Sequence, residues 1–172
     1  MKRKILFASL ISAFAVCMLL VASAHAVYMS TTPIQSQLGS VSAANSSYAS
    51  EIVANITSWY EIEVLPQHTY QWEWITFNPA NVSCSTSGNV SIDLQSYITI
   101  QSFSLSLSGA NYTWSGGQGY SYLQINMTGT GSGPLTLQTN YIPSSYWGSI
   151  TNITLSATVG GSYNSTVVSL QI

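Results

Sequence analysis

Eight of the ten asparagines in this 172-residue chain open the triplet Asn-x-Ser/Thr: Asn45, Asn55, Asn81, Asn89, Asn111, Asn126, Asn152 and Asn164. That triplet is the acceptor for N-linked glycosylation, in which the asparagine side chain takes up a bulky, hydrophilic oligosaccharide. Serine and threonine fill 43 of the 146 residues after Ala26. Chance would therefore place about three of ten asparagines in such triplets, against the eight present. A second chemistry is suggested by Glu61 and Glu63, two residues apart, with Glu73 or Asp93 able to approach them. Paired carboxylates are what a glycosidase uses. Glu-x-Glu on a polar strand face is equally the pattern of a solvated surface, however. His68, in Pro66-Gln67-His68-Thr69, has no evident partner and reads as a loop histidine. No G-x-S-x-G, H-E-x-x-H or P-loop occurs, so no enzyme is expected.

Cys84 is the one cysteine after Ala26, which makes it either a buried thiol or half of an intermolecular disulfide. A blue-copper centre needs two histidines beside a cysteine, and only His68 follows Ala26. No metal or other cofactor is implied; the covalent additions would be the N-glycans themselves. Trp72, Trp74 and Trp114 could form a platform on which sugars stack, but aromatic pairs on strands also serve as core, and core is the expectation here.

The elements that would position these residues are strands. Serine, threonine, tyrosine, valine and isoleucine dominate short alternating runs punctuated by glycine and proline, an all-β composition. From Ile52 to Val64 one parity reads Ile52, Ala54, Ile56, Ser58, Tyr60, Ile62, Val64; the other carries Asn55, Thr57, Trp59, Glu61 and Glu63. Trp72 and Trp74 share a parity opposite Gln71 and Glu73. Val90, Ile92, Leu94, Ile98 and Ile100 alternate with polar residues, and the parity then flips to Phe103, Leu105 and Leu107. A one-residue slip sends every side chain to the other face, so a bulge near Gln101-Ser102, or a strand crossing between sheets, is predicted. Leu123, Ile125 and Met127, then Leu135 and Leu137, then Ile153, Leu155, Ala157 and Val159 continue the pattern to a Gly160-Gly161 turn. Seven to nine such strands predict a single antiparallel β-sandwich or jelly roll. Most sequon asparagines fall on the polar parity, where a glycan is tolerated; Asn164 shares the parity of Val168 and Leu170 and is the exception.

The chain thus divides into three. Residues 1–26 hold Lys2, Arg3 and Lys4, an apolar run from Ile5 to Ala24, and the small-x-small site Ala24-His25-Ala26, which together make a secretory signal peptide. The apolar run is long enough that an uncleaved anchor helix is the alternative. A pilin-type leader would instead be cut at Lys4-Ile5, where no small residue stands on the leaving side. Residues 27–50 are small, polar and weakly periodic, and are expected to form an extended N-terminal arm. Residues 51–172 make the sandwich.

No lysine or arginine follows Lys4. Without cations the chain cannot release phosphate counterions, which excludes nucleic acid, and with it phosphoryl transfer and anionic lipid. Five acids and His68 are the only charges left to side chains after Ala26. In acid such a protein becomes almost neutral and escapes the positive self-repulsion that unfolds ordinary proteins; resistance to proteases that cut after Lys or Arg is a rival cause. An export signal, no permanent anchor after cleavage, dense sequons and a loose arm point to an extracellular or cell-surface protein.

In this combination the chain resembles, in architecture, the subunits of archaeal threads and bundling pili and the TasA-like biofilm fibres. The matching parts are the signal ending Ala24-His25-Ala26, the arm VYMSTTPIQSQLGSV and the sandwich from about Glu51. The resemblance implies a head-to-tail homopolymer, for adhesion or biofilm, in which the arm of one subunit completes the sheet of the next. The candidate donor residues are Val27 and Met29, or Ile34, Ser36 and Leu38, each set on one parity. Strand donation of this kind satisfies an open sheet edge and does not close on itself, which gives a fibre. The reading from another class is a secreted carbohydrate-binding β-sandwich module using the tryptophans and tyrosines.

Overall fold

A computed structural model describes residues 26–29, 35–65, 68–86, 88–109 and 111–171. Residues 1–25 of the signal-peptide segment and Ile34 lie outside the described residues, and among those described no helix is long and apolar enough to cross a membrane. Among the described residues eleven strands form two antiparallel sheets. The first contains β1 (Ala26–Met29), β2 (Gln35–Ala44), β3 (Ala49–Val64), β4 (Thr69–Cys84), β6 (Ile100–Leu105) and β9 (Gly129–Thr139), in the order β1-β3-β4-β9-β6 with β2 also on β3. The second contains β5 (Asn89–Asp93), β7 (Tyr112–Gly116), β8 (Tyr122–Met127), β10 (Ile150–Val159) and β11 (Ser162–Gln171), in the order β11-β10-β5-β8-β7.

The period-2 pattern dictates which face each strand buries. Ile52, Ala54 and Ile56 of β3, Ile75 and Phe77 of β4, and Leu135 and Leu137 of β9 meet Val90, Ile92, Leu123, Ile125, Ile153 and Leu155 across the interior. Each fully buried aliphatic or aromatic side chain contributes about 1.5–3 kcal/mol through water exclusion. The parity change around Gln101 combines both predicted causes. The chain leaves the second sheet after Asp93, turns through Ser96-Tyr97, and enters the first at Ile100; β6 then carries a register shift between Ile100 and Ser102. Val159 pairs with Ser162 around Gly160 (φ 53°) and Gly161 (φ 86°), the doubly left-handed turn whose twist suits a hairpin.

Residues 35–44 differ from the expected arm. They form β2, zipped onto β3 from Gln35↔Ser58 to Ala44↔Ala49, with Val41 and Ala43 buried. The signal was hidden because the buried parity here is Gly39, Val41 and Ala43, too small to stand out as apolar. Small residues are required: a β-carbon on Gly39 would sit 2.7 Å from Leu155 Cδ1 and 2.8 Å from Ile56 Cδ1. β2 therefore presses against the opposite sheet and closes that side of the sandwich. Ser36 pairs with Thr57, and Leu38 pairs with Asn55 on the outer face, where it is 73% exposed. β1 continues along the same edge of β3, Ala26↔Val64 to Met29↔Glu61, with the register shifted by three residues relative to β2.

The body has two distinguishable ends. The Asn45–Tyr48 turn, the Cys84–Asn89 connection and Gly160-Gly161 lie at one, here the Gly160 end. The β3–β4 connection, where Leu65 N–H donates to the His68 carbonyl at 2.7 Å, lies at the other, the His68 end.

Candidate functional site

At the His68 end the outer face of the first sheet carries a continuous aromatic strip. Trp59 and Trp74 are cross-strand partners, and their rings stack with centroids 5.1 Å apart and planes 7° from parallel. Trp72 pairs in register with Glu61, and Tyr70 with Glu63. Tyr141, beyond the end of β9 and 49% exposed, meets both Tyr70 (4.5 Å) and Trp72 (5.4 Å). His68 tilts against Tyr70 at 6.0 Å. Trp74 Nε1 donates to Glu61 Oε2 at 3.4 Å, a long contact that tethers the carboxylate beside the rings.

This reverses the expectation that Trp72 and Trp74 are core. Ile75 and Phe77 are completely buried, and strict alternation along β4 then sends Gln71 and Glu73 inward and both tryptophans outward. Either parity of this strand is apolar somewhere, so only the parity of the β4 residues nearest the middle of the sandwich decides. Trp114 is not part of the strip. It lies on β7 in the other sheet, 53% exposed and edge-on to Phe103.

Beneath the strip the inward positions are polar. Ser58, Gln71, Glu73 and Thr139 are all buried. The Glu73 amide donates to Thr139 Oγ1 at 2.8 Å, whereas neither carboxyl oxygen of Glu73 has a hydrogen-bond partner. Burial raises this carboxyl from an ordinary 4.5 to about 8; the nearby Ser58 hydroxyl opposes the shift without reaching hydrogen-bonding geometry. Glu73 is therefore an uncharged carboxylic acid at neutral pH.

The four carboxylates considered as possible catalytic partners are not brought together. Glu61 and Glu63 take the outer face of the first sheet, Glu73 the interior, and Asp93 the second sheet, where it accepts from Ser91 Oγ at 2.8 Å. Among the described residues no three His, Cys, Asp or Glu side chains cluster in a way that could hold a metal. Cys84 is free and buried, and burial raises its thiol pKa.

None of the eight sequon asparagines is buried: Asn89 and Asn126 are half-buried and the other six exposed, Asn164 among them. Asn164 is on β11, the edge strand of its sheet, where its amide donates to the Ser42 carbonyl of β2 at 2.9 Å. The distribution is uneven. Asn45 forms the turn at the Gly160 end, its Oδ1 accepting from the Ser47 and Tyr48 amides at 2.9 and 2.8 Å. Asn81 pairs with Val53, Asn89 with Thr158 and Asn126, and Asn164 with Ala157, all in the same half; Asn111 adjoins Tyr112↔Met127 there. Asn55 is near the middle. Asn152 alone is near the His68 end, on the second sheet and away from the strip. No sequence signal predicts this segregation, because it depends on which strand ends the topology gathers.

No protein-family model matches the chain, and no curated protein matches it either.

Proposed function

We propose that the chain is the structural subunit of an extracellular, N-glycosylated cell-surface filament that polymerises head to tail by strand donation and serves adhesion or biofilm. The observation that carries the reading is β1. This four-residue terminal strand pairs with β3 alone among the described strands, on the edge that β2 leaves uncovered beyond Ser58. Swapping an identical element between copies replaces each contact with its equal, so concentration alone can shift the balance from cis to trans. β2 is held differently: the Asn45–Tyr48 turn, closed by Asn45 N–H to the Tyr48 carbonyl at 2.9 Å, fixes it to its own β3. Donation thus narrows to the Val27–Met29 set, with Ser36 and Leu38 remaining in the donor's own sheet.

Deleting residues 27–34 tests this. The variant should fold, remain monomeric in negative-stain images, and bind a synthetic peptide VYMSTTPI. Filaments of normal length from the deletion variant would overturn the reading.

The aromatic strip favours a second reading, a secreted carbohydrate-binding module. A protein that binds glycans yet stays monomeric at high concentration would be that module.

A further inference from the structure

We propose that the cleft where the Asn111 and Asn126 triplets lie side by side is the seat of one N-linked glycan, carried by Asn126, which covers the free edge of β7. The proposal rests on the N-glycosylation reading.

Strand pairing makes the site. Asn111-Tyr112-Thr113 runs antiparallel to Asn126-Met127-Thr128, with Tyr112↔Met127 and Thr113↔Asn126 in register, so the asparagine of one triplet faces the threonine of the other. These two triplets and Gly88 line an open cleft of about 530 Å³. That volume is within the range of clefts that hold small molecules, about 300–1,000 Å³. Asn126 is diagonal to Asn111, roughly 7–8 Å away, and directly opposite Asn89, roughly 4.5–5.5 Å away. A bulky glycan on Asn126 therefore excludes one on either neighbour. Asn126 is the central position of the three and is half-buried. Gln124 Nε2 donates to its Oδ1 at 3.1 Å, which fixes the direction of the amide nitrogen, the atom that carries the sugar. The Thr113 and Thr128 hydroxyls and the Asn111 amide are the polar groups that meet the sugar in the cleft.

β7 needs such a cover. β8 is its one neighbour among the described strands, and Thr113, Trp114 and Ser115 are exposed. An open edge offers backbone N–H and C=O groups to any other strand, and proteins blunt it with lysine, proline, a bulge or a covering element. YTWSG has no lysine, proline or charge, and its register with β8 is unbroken. At the other end of the same sheet β11 is met by β2, through Gln37 Nε2 to the Ser169 carbonyl at 2.6 Å and the Asn164 amide to the Ser42 carbonyl. A glycan in the cleft does for β7 what β2 does for β11.

The test uses the intact protein with the glycans of its natural source. Glycopeptide mass spectrometry should find sugar on Asn126 at least tenfold more often than on Asn111 or Asn89. Amide exchange from Tyr112 to Gly116 should be at least tenfold faster in Asn126→Gln and in Thr128→Ala, which break the acceptor triplet at different residues. Thr128→Ser, which keeps the triplet, and Asn111→Gln should exchange as the parent does. Exchange in β10 should stay parental throughout; a rise there as large as in β7 would overturn the proposal. So would sugar on other triplets but none on Asn126, equal sugar on Asn111 and Asn126, or parental exchange in both sugar-free variants, each leaving the glycosylation reading in place. A protein with no sugar on any asparagine would overturn both.

Discussion

Glu73 links the interior to pH. Its carboxyl ionises near 4.5 in an unfolded chain and near 8 in the fold. Between those values the folded protein holds a proton that the unfolded chain has released, so stability is highest below about pH 4.5. It then falls by about 1.4 kcal/mol per pH unit as the pH rises toward 8. Denaturant titrations at pH 4, 6 and 8 should show this decline, and Glu73→Gln should flatten it. A parent protein equally stable at pH 4 and 8 would refute the assignment. At this scale the sequence was only partly legible. Glu73 reads from the sequence only as a carboxylate that could approach Glu61 and Glu63, on the parity opposite Trp72 and Trp74. The tryptophans looked like core because they are the largest apolar residues on the strand. Both inferences failed for one reason: the alternation is anchored by Ile75 and Phe77, which are fully buried.

Among the elements, β5 and β8 were legible because each is a clean alternation with one buried parity, as in Leu123, Ile125 and Met127 against Tyr122, Gln124 and Asn126. β2 was not, since its inward residues are chosen for size. Gly39 is the clearest instance, and the requirement is space alone: Leu155 and Ile56 already occupy the position a side chain would take. Gly39→Val should therefore lower the denaturation midpoint, by about 1–3 kcal/mol of overpacking. It should also loosen the β2 edge, read as faster amide exchange from Gln37 to Ala43. A midpoint equal to the parent's would show that the two sheets can separate there freely. β9 was underestimated as well. The glycine-rich stretch Gly129–Pro134, whose glycines and proline are loop punctuation in a sequence, is part of the strand and pairs with β4 as far as Cys84↔Gly129.

The whole molecule has five side-chain acids and no lysine or arginine after Lys4. Once cleaved after Ala26, as proposed, its carboxyls would be neutral at pH 2, and the positive self-repulsion that drives acid unfolding would be confined to His68 and the amino terminus. A cooperative thermal transition at pH 2 is the expected result; loss of structure there under mild heat would refute acid adaptation. On the proposed glycosylated form, sugar would supply the hydration that so few charges cannot. Enzymatic removal of the glycans should lower solubility most steeply near pH 3, where little net charge opposes association.

The uneven placement of sequons and rings gives the folded body a direction. Its Gly160 end would be wrapped in hydroxyl-rich sugar, and its His68 end presents stacked indoles and phenols. A body glycosylated in this way would be an amphiphile, with the water-seeking and water-avoiding parts fixed on a β scaffold instead of a flexible tail. At an air–water boundary such particles should line up in one orientation and lower the surface tension. Trp59→Ser together with Trp74→Ser should abolish that surface activity.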